Sequence, residues 1–136
     1  MNIKPSKIHK TQTKLSSEFF AAAELYRRNF KVGVTLGNTE AIDLLAEKEG
    51  ISFQIQVKGI QSKSSICWNI SRDKVRPGIF FVLVNIHADT LQYPDFYILT
   101  FEEMQGMLKM VASGRDYLDI TPVHNERFLG RWDKIE

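Results

Sequence analysis

The stretch Ala41–Gly59, AIDLLAEKEGISFQIQVKG, carries the pattern on which the fold turns. From Ile51 onward it alternates without a break. Ile51, Phe53, Ile55 and Val57 fall on one face and Ser52, Gln54, Gln56 and Lys58 on the other, because side chains reverse at every residue of a strand. Ala41 to Glu47 reads as a preceding strand, with Glu49-Gly50 as the two-residue turn of a hairpin. Pairing Lys48 with Ile51 across that turn sets Asp43 opposite Gln56 and Ala41 opposite Lys58. A carboxylate, an amide oxygen and an ammonium then converge on one patch, with Gln56 and Lys58 roughly 7 Å apart along the strand.

Each residue type has a chemical use there. Mg²⁺ prefers hard oxygen ligands and takes one or two carboxylates, which Asp43 and the Gln56 carbonyl oxygen can supply, with the backbone carbonyl of Val57 as a third oxygen. Lys58 can stabilise charge on a phosphoryl transition state or assist the attacking water. A wet strand face in any soluble protein also carries Gln and Lys, so QVK alone says little. Asp43 is more telling. It interrupts the apolar run Ala41, Ile42, Leu44, Leu45, Ala46, where an unpaired buried carboxylate is costly, so a lysine or metal partner is expected.

Glu18 early in a first helix, Asp43 within IDLLAE, and QVK after twelve intervening residues resemble the PD-(D/E)xK nuclease superfamily, in particular its Holliday-junction-resolvase-like and Mrr-like restriction branches. The resemblance spans about the first half of the chain. It implies a restriction-endonuclease-like core, a metal cofactor (Mg²⁺ or Mn²⁺), and a catalytic set in which Asp43 binds metal, Gln56 takes the position usually Asp or Glu, Lys58 is the catalytic lysine and Glu18 the helix acid, itself a candidate metal ligand. The chain departs from the pattern in lacking a Pro before Asp43 and in having the neutral Gln56, although Gln is usual there in the Mrr-like branch. Losing that negative charge weakens metal affinity. Glu18 also has a structural reading, since an acid in the first turn after Ser16 or Ser17 favours the positive end of a helix dipole.

Length and composition fit one globular domain. The chain has 136 residues, 43% hydrophobic and 25% charged, enough to bury a core. The apolar run from Ile79 is too short to cross a bilayer and MNIKPSKIHK lacks the apolar centre of a signal peptide, so a cytoplasmic location is expected. The single Cys67 excludes an internal disulfide and a thiolate zinc site; beside Trp68 on a strand, it reads as a buried small hydrophobe. His9, His87 and His124 belong to no catalytic pattern and are read as solvent-facing. The net charge of +2 is unevenly spread: Lys4, Lys7, Lys10 and Lys14 precede any acid, and the remaining 14 basic residues face 16 acids. Residues 1–14 therefore read as a flexible basic arm, suited to phosphate contact or simply solubilising, ahead of a single nuclease-like domain over 15–136.

Along that domain, Leu15, Phe19, Ala22, Tyr26 and Phe30 recur every three to four residues and predict an amphipathic helix from about Ser17 to Asn29. Lys31–Leu36 predicts a strand ended by Gly37-Asn38. The polar stretch Gln61, Ser62, Lys63, Ser64 follows directly on the candidate lysine and, with Arg72 and Lys74, supplies donors for a nucleic-acid backbone or forms a solvated loop. Ile66–Ile70 reads as a strand. Ile79–Ile86, IFFVLVNI, is apolar almost throughout and predicts a strand buried on both faces. Phe96–Leu99 adds another, and Thr100 with Glu103 forms a capping box opening a helix that runs toward Ala112 and stops at Gly114. Met104, Met107, Leu108 and Val111 mark its packed face. RFLGRWDKIE, residues 127–136, is too apolar for a free tail and is expected to dock on the body or on a second subunit.

The predicted fold class is α/β, a three-layer-like sandwich with a central mixed β-sheet flanked by helices. The predicted function is a metal-dependent phosphodiesterase hydrolysing DNA. The alternatives are a catalytically inactive nuclease-fold module that binds nucleic acid and a protein-interaction domain of a defence or mobile-element system. The partners expected are DNA or RNA and a second copy of the chain, with no membrane.

Overall fold

A computed structural model of the chain describes residues 8–35, 42–62, 67–119 and 126–135. The elements run α1 (Lys10–Arg27), β1 (Lys31–Val34), β2 (Leu44–Lys48), β3 (Ile51–Ile60), β4 (Cys67–Asn69), β5 (Ile79–Asn85), β6 (Asp95–Leu99), α2 (Phe101–Met107) and β7 (Tyr117–Asp119). Five strands form one mixed sheet in the order β1-β2-β3-β5-β6, in which β3 and β5 are parallel and the other pairs antiparallel. The predicted α/β sandwich with a mixed central sheet is the fold observed. β4 and β7 pair separately as a short ribbon.

The hairpin β2–β3 has the register read from the sequence, with Lys48 opposite Ile51 and Leu44 opposite Ile55. Glu49 and Gly50 both hold positive φ, 54° and 79°, the backbone that a tight two-residue hairpin turn demands. Ile51, expected in the core, is 56% exposed at the hairpin tip. The apolar face begins at Phe53, where α1 and Phe30 start to cover the sheet.

One core lies between α1 and the sheet, built on Ala21, Leu25, Ile55, Val57 and Val84. A second, on the opposite face, holds Trp68, Phe81, Leu83, Tyr97 and Met104 under the β4–β7 ribbon and α2. β5 contributes to both, which explains its unbroken apolar sequence.

α1 differs from its prediction in start and in face. It begins at Lys10, so residues 10–14 of the expected arm are helical, and neither Ser16 nor Ser17 caps it. Ser17 lies mid-helix, donating its hydroxyl back to the Thr13 carbonyl at 2.7 Å. Of the predicted stripe only Ala22 and Phe30 are buried; Leu15, Phe19 and Tyr26 are exposed. The covered face is Ser17, Glu18, Ala21, Ala22 and Leu25. Small residues prevail because the helix sits close on the sheet: a Cβ at Gly59 would lie 2.7 Å from the Ser17 Cβ. Hydrophobic periodicity does not register that proximity.

At the other end, Thr100 and Glu103 make the predicted capping box, but α2 stops at Met107 rather than near Ala112. Leu108 is extended, and the backbone of Lys109 exchanges hydrogen bonds with Tyr117 at 2.8 and 3.0 Å, competing with further helix. Gly114 serves a later turn, at φ 80°. The closing segment packs on its own chain. Phe128, Trp132 and Ile135 are buried, and the Phe128 carbonyl accepts from Ile98 N–H at 2.9 Å.

Candidate active site

The site forms where β3 outruns its neighbour. β2 ends at Leu44 opposite Ile55, so the last residues of β3 carry no strand on that side among the described residues. The Ile60 carbonyl accepts from Ile86 N–H on the β5 side, so the alternate residues Val57 and Gly59 turn their backbone groups to the open edge. Asp43, just before β2, fills the first of these positions. Its backbone N–H donates to the Ile55 carbonyl at 2.9 Å, continuing the ladder, and its carboxylate accepts from Val57 N–H at 2.8 Å. The partner expected for this buried carboxylate is thus a backbone amide first. The Val57 carbonyl lies on the same edge as that amide, whereas Ala41 falls outside the described residues.

Gln56 and Lys58 share the strand face opposite Val57, as predicted, but this face is not wet. Gln56 is 2% exposed, and its carbonyl oxygen Oε1 has no hydrogen-bond partner. Lys58 is half-buried. Burial, then the nearby Lys74, pushes its pKa below the usual lysine range, against the opposing pull of Asp43 and Glu18.

Glu18 reaches the same place from α1. Because the helix starts at Lys10, Glu18 lies beyond the first turn, and stabilisation by the helix N-terminus does not account for it. It is fully buried and neither carboxylate oxygen has a hydrogen-bond partner. Lys14 Nζ stands 3.8 Å away, too far for a hydrogen bond. Burial and the charge of Asp43 raise the Glu18 pKa, with Lys14 and Lys58 partly offsetting them. The charges of Asp43, Glu18 and Lys58 therefore act on one another near the open edge of β3, and Gln56 lies two residues before Lys58 on the same strand face.

This oxygen-rich set suits a hard divalent cation. A buried carboxylate and a buried amide oxygen that make no hydrogen bond are each costly, and a cation is a group that satisfies oxygens of both kinds. Among the described residues no three His, Cys, Asp or Glu side chains gather as a ligand group. The donors on offer are two carboxylates and one amide.

A groove of about 710 Å³ adjoins the site at Val57 and Lys58, bounded by the first turns of α1 on one side and by β4 on the other. The predicted nucleic-acid contacts fare differently around it. Gln61 lines the groove, its amide donating to the Ile8 carbonyl. Ser62 is buried, Lys74 acts on Lys58 through its charge, and Lys63 and Ser64 fall outside the described residues. Arg72 is committed elsewhere: Nη2 and Nε clasp the Asp116 carboxylate at 2.7 and 2.9 Å. Its strong pairing to a buried acid 44 residues on left no local signal in the sequence.

Other readings change with the fold. Cys67 is half-buried in the groove wall rather than fully enclosed. His87, expected to face solvent, is 4% exposed, with Nε2 2.8 Å from Asp95 Oδ2; it clasps the end of β5 to the start of β6 from a left-handed backbone, φ 47°. His9 is exposed, and His124 falls outside the described residues. Sequence reasoning missed Thr13, Lys10 and Lys14 as groove residues because it placed them in the arm or its border.

The fold is restriction-endonuclease-like and is shared with two solved nucleases. The bacterial homing endonuclease I-Ssp6803I is similar in structure with a TM-score of 0.65 at 17% identity, over 95% of this chain and 92% of its own. Hjc, a Holliday junction resolvase from the archaeal hyperthermophile Archaeoglobus fulgidus, gives 0.61 at 14% identity, over 89% of this chain and 93% of its own. No protein-family model matches the sequence, nor does any curated protein. No helix among the described residues is long and apolar enough to cross a membrane.

Proposed function

We propose that this chain is a Mg²⁺- or Mn²⁺-dependent nuclease that hydrolyses phosphodiester bonds of DNA. The observation that carries the reading is the set of buried oxygens without a hydrogen bond, both of Glu18 and Oε1 of Gln56, with Glu18 in the field of Asp43 and Lys58. Asp43, Gln56 and Glu18 would hold the cation, with the Val57 carbonyl on the same edge. Bound there, a divalent ion supplies Lewis-acid stabilisation of the charge that develops on the phosphoryl oxygens. The Val57 amide holds one oxygen of Asp43 and so fixes the carboxylate at this edge. Lys58, with its lowered pKa, donates a hydrogen bond to the scissile phosphate or orients the attacking water from the groove side. The nuclease activities named for both structural neighbours support this class of reaction.

The test is incubation of wild type, Asp43→Ala and Lys58→Ala with plasmid, linear, single-stranded and branched DNA, and with RNA, in Mg²⁺ or Mn²⁺, resolved on a gel. Wild-type cleavage lost in both variants is expected; equal cleavage by all three would sink the assignment. A second reading, a nuclease-fold module that binds nucleic acid without cutting it, is favoured by one feature, the neutral Gln56 in place of a third carboxylate. DNA binding that persists in chelator and in Asp43→Ala, with no product under either metal, would select it. The apolar closing segment that motivated an interaction domain is buried in this chain's own core.

A further inference from the structure

The groove beside the site has a wall that the catalytic reading does not use. Lys10, Thr13 and Lys14 fall three and four residues apart, so they share one face of α1, and all three line the groove opposite Asn69 of β4. Lys58 and Gln61 complete the polar lining, and no Asp or Glu contributes to it. Three lysines on a groove whose lining holds no acid favour an anion, and Glu18, 3.8 Å from Lys14, offsets part of that charge.

Two further features point to a ligand. Thr13 is 6% exposed and its hydroxyl, buried in the groove wall, has no hydrogen-bond partner. A hydroxyl in that state costs free energy that an acceptor entering the groove recovers. At the beginning of α1 the N-cap, His9, makes no side-chain cap bond and the first turn contains no acid. Amide groups at such an end favour an anion. Lys14 pairs with Glu18 at 3.8 Å without a hydrogen bond, and its side chain is 46% exposed, so its donors can also reach an anion in the groove.

We infer that the α1 wall is a phosphate track, in which Lys10, Thr13 and Lys14 hold the sugar–phosphate backbone of one nucleic-acid strand and lead it over Lys58 to the metal-binding edge. The inference rests on the nuclease reading for its choice of anion. At about 710 Å³ the groove lies in the range of small-ligand clefts, with room for a short stretch of one strand. Lys10 and Lys14 stand about 6 Å apart along the helix axis, one turn, so they address successive positions on the strand. Thr13 between them donates to a non-bridging phosphate oxygen.

The experiment is fluorescence anisotropy of a labelled single-stranded DNA oligonucleotide with full-length protein in chelator over a salt series. Wild type is compared with Lys10→Ala/Lys14→Ala, Thr13→Val and the exposed control Lys31→Ala, each checked for retained melting temperature. The double variant is expected to lose about tenfold or more in affinity at low salt, and its log–log salt slope to fall by roughly 1.4, two phosphate contacts' worth. Thr13→Val should weaken binding with the slope kept, and Lys31→Ala should change neither. Affinity and slope unchanged in the double variant would overturn the track, and the nuclease reading would survive if wild type still cleaves. Loss of binding in the double variant, with no cleavage by wild type under any metal, would uphold the track and reject catalysis. Failure of wild type to bind DNA in chelator would overturn the track, and cleavage with metal would then decide the nuclease reading separately.

Discussion

Two of the places where this molecule buries a carboxylate treat it in opposite ways. Asp116, on the side of the β4–β7 ribbon, is 2% exposed and saturated: Arg72 clasps both oxygens, and the N–H groups of Arg72 and Val111 donate at 2.9 and 3.2 Å. That hydrogen bonding, led by the Arg72 guanidinium, holds its pKa down at about 2. Glu18 is as deeply buried, yet neither oxygen is bonded and its pKa is raised. A carboxylate saturated by its own chain has finished its work in the folded state. One that a helix buries without a hydrogen bond, in the field of Asp43 and Lys58, retains bonding capacity for something the chain does not contain.

The largest effect that can sharpen this contrast is on catalysis. Asp43→Ala and Lys58→Ala should each reduce metal-dependent DNA cleavage by at least about 100-fold with the fold intact, measured by single-turnover gel assay and circular dichroism. Near-wild-type rates in both would erase the distinction between the two regions. Next in size is Gly59→Ala. Its Cβ would meet Ser17 Oγ at 1.8 Å and Cβ at 2.7 Å, so α1 must move off the sheet. A loss of about 1–3 kcal/mol is expected in urea unfolding, with cleavage reduced because Glu18 moves with its helix. Combining it with Ser17→Gly should restore part of both; strict additivity of the two substitutions would contradict the close contact.

Thr100→Ala removes one arm of the α2 capping box and should cost about 1 kcal/mol, leaving cleavage and DNA affinity as they are. A change in either would mean that α2 is coupled to the site. The subtlest effect concerns pH. Glu18 has a folded pKa above its unfolded value of 4.5, so it binds protons more tightly when folded and destabilises the metal-free protein as pH rises through 4.5 toward that folded value. Asp116 has the reverse sign. Its stabilisation is fully present above its unfolded pKa of 3.8 and is lost as pH falls through about 2. Glu18→Gln should therefore raise the melting temperature in chelator by a small increment at neutral pH that vanishes toward pH 4.5, and should diminish the stabilisation that added Mn²⁺ gives. An equal increment at every pH would remove Glu18 ionisation as its cause.

The hairpin and its register were legible because they depend on neighbours in sequence: alternation in ISFQIQVKG and turn residues at Glu49-Gly50. The capping box at Thr100 is likewise a four-residue matter. α1 was misread in face because apolar side chains such as Phe19 and Tyr26 are not what a close helix–sheet contact requires; Ser17, Ala21 and Ala22 are. α2 was overextended because the pairing of Lys109 with Tyr117 competes from outside the local window.

From the sequence alone came the strand that bears Gln56 and Lys58, the register that brings Asp43 beside it, and the buried strand β5, all set by short-range stereochemistry and hydrophobic patterning. Tertiary structure alone decided that Glu18 and Gln56 lose both water and partners, that His87 turns inward to Asp95, and that lysines read as an arm line a groove. Burial and charge coupling are properties of surfaces brought together from distant parts of the chain, and nothing in the identity of a residue or its immediate neighbours specifies which surface will cover it.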